Sequence, residues 1–139
     1  AASARLLLCE PLILGRAAMG ETLTEAHFSD RVEIRRGGKP LFVDATRLEG
    51  NVTNIMAGPA TGAGSRAMAL VVLVAPEAEA ARDALRAALP DTALAGASLI
   101  AQDVMVARFL AADGFALRKL LLPALDRLTD NTLPRSWRL

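Results

Sequence analysis

The chain has 139 residues, of which 53% are hydrophobic, and it has a mean hydropathy of +0.32 and a formal net charge of +1. A chain of this length holds one sizeable hydrophobic core, so we expect a single domain over residues 1–139. The 16 basic residues are balanced by 15 acidic ones, which leaves no net field to gather phosphates and excludes nucleic acid as an expected partner. The longest apolar run, residues 67–75, is far shorter than the roughly 18 residues that cross a bilayer, so no membrane association is expected.

The single cysteine and the first residues of the chain lead to two further expectations. Cys9 has no second cysteine to pair with, which fits a reducing compartment and predicts a cytoplasmic protein. The sequence has no initiator methionine and begins just before an apolar stretch. We therefore expect a fragment of a longer protein and an incomplete domain.

The first predicted elements are β-strands. Residues 5–14 form an apolar stretch interrupted by Pro11, and because proline lacks the amide donor that a central strand needs, we expect an edge strand or a bulge. A further strand is expected at residues 22–28. The clearest β signal is the glycine turn at residues 36–39, which predicts a hairpin. The apolar residues that alternate on its two sides are Val32, Ile34, Leu41 and Val43.

The middle of the chain predicts a strand, a loop and a second strand. Residues 47–55 are interpreted as a strand that continues from the hairpin. Residues 57–66 are small, polar and rich in glycine, which is typical of an exposed and mobile loop. Residues 67–75 contain five consecutive aliphatic side chains and predict a strand buried on both faces.

Two helices are predicted in the C-terminal half. Pro76 occupies a favoured first helical position and acidic residues follow in the first turn, which predicts a helix at 76–89. Asp113 is a suitable N-cap for a second helix at 113–128, which Pro123 is expected to bend or interrupt. The apolar positions at helical spacing are Ala78, Ala81, Leu85 and Leu89 in the first helix and Leu117, Leu120, Leu121 and Leu125 in the second.

Short strands at residues 97–101 and 104–110 and an extended tail complete the prediction. The expected fold class is α+β, mostly β, with β-rich sheet layers and two helices, near 76–89 and 113–128, packed on them.

Familiar catalytic and nucleotide-binding patterns are absent from the sequence. The glycine-rich segment 58–65 lacks the lysine of a phosphate-binding loop and leads into a strand instead of a helix. His27, Ser29 and Asp30 are too close in sequence to form a Ser-His-Asp triad, and there is no nucleophile elbow. We therefore expect no catalytic residues.

Residues suited to metal binding are few. His27 is the only histidine and Cys9 the only thiol, so one chain cannot assemble a tight site of nitrogen and sulfur ligands. These counts do not exclude a transient metal site made of oxygen ligands. The nearby acids are Glu10, Glu21, Glu25 and Asp30, for which solvated surface positions are the favoured interpretation.

Trp137 is the only tryptophan and lies between Arg135 and Arg138. Its favoured role is to attach the tail to the core. The alternative is an interface anchor, formed by Trp137 and Arg135, because tryptophan and arginine are enriched at binding hot spots.

Five segments, taken in order and with their spacing, resemble a known family. They are CEPLILGRAAMGE (9–21), RRGGKPLFVDATRLEG (35–50), GASL (96–99), VARFLAADGFALRKLLLP (106–123) and LPRSWRL (133–139). The GRAAMGE and PRSW portions are the most specific. Together these segments are similar to the C-terminal half of the D-type urease accessory protein family (UreD, also called UreH).

The resemblance implies a β-rich cytoplasmic scaffold without catalytic activity, on which two helices pack. Its implied partners are the urease structural subunits and the F-type accessory protein, which recruits the GTP-hydrolysing G-type protein. No cofactor would be tightly bound, because nickel passes in transit through an internal channel. On this basis Glu10 and Glu21 are candidates for the nickel path, followed by Cys9 and His27, since oxygen ligands release nickel more readily than thiolates do.

Members of the family begin well upstream with additional strands. Without those strands we expect unpaired sheet edges and a tendency to self-associate. The residues alone leave two other functions as alternatives. One is a small enzyme that uses a buried carboxylate, Glu21 or Asp44, as a general acid or base. The other is an interaction module with no metal path.

Overall fold

The computed structural model describes residues 4–15 and 24–138. It divides the chain into two compact units, residues 1–13 with 65–139 and residues 14–64. The expectation of a single domain stays a prediction. The elements are β1 (Leu6–Ile13), β2 (Ala26–Arg36), β3 (Lys39–Gly50), α1 (Val52–Ala57), β4 (Ala67–Val74), α2 (Ala78–Ala88), β5 (Leu94–Ala101), β6 (Val104–Ala111), α3 (Gly114–Leu128) and a 3₁₀ turn (Arg135–Trp137).

The first unit contains a four-stranded antiparallel sheet in the order β1-β4-β6-β5. Pro11 lies in β1, an edge strand, as the sequence predicted, because there its missing amide costs no ladder hydrogen bond. The prediction for β4 is also confirmed, since consecutive residues from Leu70 to Val74 are all buried. Consecutive residues of a strand point to opposite faces, so β4 is covered on both.

Helices α2 and α3 pack on one face of this sheet. Because side chains alternate along a strand, this face takes every second residue of β4 and β6. The largest fully buried side chains of the cluster are Phe109, Met105 and Val71 from the sheet and Leu85, Leu117 and Leu125 from the helices. Small side chains occupy several of the sheet positions beneath the helices, namely Ala67, Ala69, Ala97, Ala107 and Ala111.

Both predicted helices are present. α2 begins at Ala78, after its N-cap Glu77, so Pro76 precedes the helix instead of occupying its first position. The Asp113 side chain caps α3 by accepting a hydrogen bond of 2.8 Å from the amide of Ala116. Pro123 was expected to bend or interrupt α3, and it does not interrupt the helix, which continues through it to Leu128; the bend stays a prediction. Pro123 is exposed, whereas its neighbours Ala124 and Leu125 are buried, so packing on the other side of the helix supports the turn that contains the proline.

Strand β5 is the other edge of the sheet. One of its carbonyls, that of Ala97, accepts a hydrogen bond of 2.8 Å from Nε of Arg86 on α2. An edge strand presents backbone groups without a strand partner, and a charged side chain over such groups opposes pairing with another chain.

The second unit contains the predicted hairpin. Gly37 and Gly38 both have positive φ values, 55° and 77°, as a two-residue type I′ turn requires. The register shifts between Ile34 and Arg35, so that Ile34 faces Phe42 and Leu41 is the extra residue of a bulge. The predicted apolar pattern on β3 is therefore wrong: Phe42 is buried and Val43 is exposed.

The segment after the hairpin differs from the sequence prediction. The strand expected at residues 47–55 ends at Gly50, and α1 follows, capped by the Asn51 side chain at 3.0 Å from the amide of Asn54. The glycine-rich segment behind it folds back onto α1, because the carbonyl of Met56 accepts from the amide of Gly64 at 2.8 Å. A Cβ atom on Gly62 would lie only 2.7 Å from the same carbonyl oxygen, so this position requires glycine.

The α+β class with a predominance of strands is confirmed. The short helix α1 adds a third helix to the two that were predicted. No helix within residues 4–15 and 24–138 combines the length and the hydrophobicity that a membrane crossing requires.

Candidate functional site

A groove of about 300 Å³ lies on the first unit, at the β1 edge of the sheet. It is bounded by the end of β1, one side of α3 and the C-terminal turn. Its apolar lining consists of Pro11, Ile13, Leu117, Leu121, Leu122 and Trp137, and Arg118 and Ser136 contribute its polar atoms. A concave apolar surface with a few polar groups is the usual form of a binding site.

A glycine at the start of α3 lies close to the end of β1. A Cβ atom on Gly114 would lie 3.3 Å from Cδ1 of Ile13, closer than nine in ten such contacts. Gly114 therefore allows Ile13 to lie against the start of α3. Ile13 is 48% exposed, so the groove is open along this side.

Two polar contacts hold the C-terminal turn against α3. Nη2 of Arg118 donates a hydrogen bond of 2.8 Å to the carbonyl oxygen of Trp137. The guanidinium of Arg138 pairs with both carboxylate oxygens of Asp126, and this hydrogen bond raises the pKa of Arg138. The tail is thus folded into a 3₁₀ turn, and the expectation of an extended tail is wrong.

The two residues predicted as an interface anchor lie at this turn. The ring of Trp137 is half-buried and packs against the hydrophobic cluster beneath α3, as expected of a residue that attaches the tail to the core. Its other side lines the groove. Arg135 is exposed at the start of the turn. The position of both residues is compatible with an interface, which stays a prediction.

Cys9 and Glu10, two candidates for the nickel path, are neighbours in β1 and therefore project to opposite faces of the sheet. Cys9 faces the hydrophobic cluster and is half-buried. Glu10 is half-buried on the other face, where it and Arg108 flank Leu70 in the strand register. The two side chains cannot bind one ion from the same face.

The environment of Cys9 also affects its chemistry. Burial, together with the negative charge of Glu10, raises the pKa of the thiol from 9.0 to about 11. The thiolate is the form that binds metal ions. At neutral pH Cys9 is therefore a poor metal ligand and a poor nucleophile.

The remaining candidate site residues lie in the second unit or outside the described residues. His27 is exposed on the hairpin of the second unit, opposite Glu49. Glu21 lies outside the described residues. Asp44, the alternative general acid or base, is half-buried in β3 opposite Val32. Across the described part of the chain, no three His, Cys, Asp or Glu side chains come together in a way that could hold a metal ion.

The exposed side of α3 was not predicted from the sequence. Phe115 is 69% exposed, the highest value among the exposed large hydrophobic residues of the described chain. It does not belong to the helical series that forms the buried face, Leu117, Leu121 and Leu125. An aromatic residue outside the apolar face of a predicted helix was the signal that could have identified this surface.

Comparison with known proteins places the chain in a family. Residues 1–138 match the model of the family described as UreD urease accessory protein. The chain is 52% identical over 134 residues to a urease accessory protein UreD of Ruegeria pomeroyi, an alignment that covers 96% of this chain and 51% of the relative. It is 48% identical over 136 residues to the UreD protein of Roseobacter denitrificans, with 98% of this chain and 49% of the relative covered.

A third relative, named urease accessory protein UreD 2, from Methylorubrum populi, is 44% identical over 140 residues and covers 99% of this chain and 47% of its own length. The chain thus spans about half the length of the curated relatives that it matches. The identities and the match along nearly the whole chain establish that it belongs to the UreD family of urease accessory proteins.

Proposed function

We propose that the protein acts in the cytoplasm as a docking component in urease maturation, without catalytic activity of its own. In this role it binds apo-urease and the F-type accessory protein, through which the G-type protein is recruited, and it helps nickel to reach the urease active site. Membership of the UreD family supports the maturation role. Since the chain spans about half of its relatives, the activity of a whole UreD protein is part of the proposal.

The observation that carries the docking role is the open apolar groove between β1, α3 and the C-terminal turn. Its lining is apolar apart from Arg118 and Ser136, and it is contributed by three separate segments of the chain. Tryptophan and arginine at the rim of such a surface are the residue types that dominate binding energies at interfaces.

Nickel would be held only in passing. Weak binding favours release, and single carboxylates such as Glu10 and Glu21 bind nickel less tightly than thiolates or clusters of imidazoles do. The raised pKa of the Cys9 thiol is consistent with a weak path, because a metal ion must displace the thiol proton before the sulfur can bind it. His27 and Cys9 rank behind the two glutamates.

Co-purification tests the docking role. The tagged protein is mixed with purified apo-urease and with purified F-type and G-type accessory proteins, singly and together, and each mixture is separated by size-exclusion chromatography. We expect co-elution with at least one of them, and we expect no turnover by the isolated protein. Absence of every complex at concentrations well above those in cells would defeat the proposal.

A further inference from the structure

One side of α3 carries a stripe of four residues that lie outside its buried face. Phe115, Arg118, Lys119 and Leu122 follow one another at helical intervals of three and four, so they lie along one side of the helix. We call these four residues the α3 stripe. Arg118 and Leu122 also line the groove, so the α3 stripe adjoins it, and Lys119, on the other side of the stripe, lines a smaller pocket between α2 and α3.

The cations of the α3 stripe form no ion pair within the described residues. Arg118 donates one of its five N–H groups to the Trp137 carbonyl, which holds the planar guanidinium at the rim of the groove with its other donors available. Nζ of Lys119 lies 4.7 Å from the centre of the Phe115 ring, so the charge and the aromatic face are held together. Arg135 adds an exposed cation at the C-terminal turn.

The surface formed by the α3 stripe and the groove is both apolar and positively charged. None of the described residues that line the groove is acidic. A partner with both apolar side chains and negative charge therefore complements this surface best. A neutral apolar segment would leave these cations unpaired, and an acidic segment without apolar side chains would leave the groove unfilled.

We propose that the α3 stripe and the groove beside it bind an acidic amphipathic helix of a partner protein, an inference that rests on the proposed docking function. A helix presents apolar residues at intervals of three and four along one side, which matches a groove that runs beside another helix. Its carboxylates would meet Lys119 and the remaining donors of Arg118, and an arginine fork binds a carboxylate through two parallel hydrogen bonds. Trp137 and Phe115 would flank the bound apolar side chains.

Photo-crosslinking identifies the occupant. A benzophenone side chain is introduced in place of Phe115, the protein is mixed with purified apo-urease and the purified accessory proteins, and crosslinked peptides are mapped by mass spectrometry. We expect crosslinks to a helical segment rich in Asp and Glu on one partner. Crosslinks only to a second copy of this chain, or to a neutral or basic segment, would overturn the inference.

Variants with matched controls measure the contribution of each feature to the affinity of that complex. Phe115→Ala is compared with Ile100→Ala, another exposed apolar residue, on β5. Lys119→Glu is compared with Lys39→Glu, an exposed lysine beside the hairpin turn. We expect Phe115→Ala and Lys119→Glu to weaken binding by about tenfold each, and the controls to leave it unchanged. Lys119→Glu should also reduce the salt dependence of binding.

The outcomes separate this inference from the proposed function. If the unaltered protein forms a complex but Phe115→Ala and Lys119→Glu bind like their controls, the docking function stands and the α3 surface is refuted. If no complex forms at all, both fail. Binding to vesicles of phosphatidylserine and phosphatidylcholine that Lys119→Glu abolishes, with protein complexes unaffected, would assign the surface to lipid and overturn the inference.

Discussion

The guanidinium of Arg118, in the middle of α3, donates a hydrogen bond of 2.8 Å to the carbonyl oxygen of Trp137, near the end of the chain. This bond, together with the pairing of Arg138 with Asp126, turns the C-terminal residues into one wall of the groove. The groove therefore exists only while the tail is attached to α3. Several measurable properties depend on this arrangement and on the sheet beneath it.

Loss of the Arg118 side chain should release the tail. We expect Arg118→Gln to lower the free energy of unfolding by about 1 kcal/mol, the usual contribution of one hydrogen bond, as measured by urea denaturation. Trp137 is the only tryptophan, so its emission should also shift to longer wavelength as the ring becomes more exposed. Arg127→Gln, at an exposed position near the end of the same helix, is the control. An unchanged emission spectrum in Arg118→Gln would show that the contact does not hold the ring in place.

The Cys9 thiol should react slowly. With its pKa at about 11 instead of 9.0, the thiolate fraction at pH 7.5 is about 100-fold smaller than in a free cysteine. We expect alkylation by iodoacetamide in the folded protein to be slower than in urea by at least this factor. Equal rates in both conditions would contradict the burial of Cys9.

The same pKa predicts how stability depends on pH. The unfolded chain loses the Cys9 proton near pH 9.0 and the folded chain only near pH 11, so between these values the unfolded state binds fewer protons. Stability attributable to this group is thus complete below pH 9 and falls as the pH rises toward 11. Urea denaturation of the protein and of Cys9→Ala across this range should show a decline that is steeper in the protein with the thiol. Parallel curves would argue against the raised pKa.

Replacement of Pro123 should stabilise α3. Proline inside a helix removes a backbone hydrogen bond and its ring presses on the carbonyl four residues earlier, that of Lys119. Because Pro123 is exposed, Pro123→Ala loses little packing, and we expect a gain of about 1 to 2 kcal/mol in the free energy of unfolding. Pro134→Ala, at an exposed position outside the helix, serves as the control and should show no gain. A loss of stability in Pro123→Ala would mean that the proline itself is needed for packing.

Arg86 should protect the β5 edge. Arg86→Ala removes the side chain that covers the Ala97 carbonyl, and an uncovered edge strand pairs more readily with another chain. We expect greater self-association by analytical ultracentrifugation than for Arg82→Ala, one turn earlier on α2. Identical sedimentation of the two variants would show that the edge is protected by other means.

A Glu10 variant tests the proposed nickel path. We expect Glu10→Gln, which keeps the size of the side chain but removes its charge, to lower the nickel content of urease activated with the protein, while complex formation stays intact. Cys9→Ala should have little effect, because the thiol is protonated at neutral pH. Nickel per urease active site is measured by elemental analysis. Normal nickel content with Glu10→Gln would favour an interaction module without a metal path.

Local sequence signals predicted most of the elements. The Gly37-Gly38 turn, the Asp113 cap and the aliphatic run of β4 each act within a few residues, through backbone sterics, a capping hydrogen bond and burial. These features determine the hairpin, the start of α3 and the central strand in nearly any context. Membership of the UreD family is likewise a property of the sequence by itself, because the segments that indicate it are runs of neighbouring residues.

Only the tertiary structure decided which of these residues meet. The groove joins Ile13, Gly114 and Trp137, which are distant in sequence, and no local propensity specifies such a contact. Cys9 and Glu10 are neighbours in β1, and the alternation of side chains along a strand places them on opposite faces of the sheet. The one-residue bulge at Leu41 reverses which side chains of β3 are buried and which are exposed. Side-chain direction in a sheet depends on register, and register depends on pairing across the whole strand, so alternation in the sequence alone could not assign these faces.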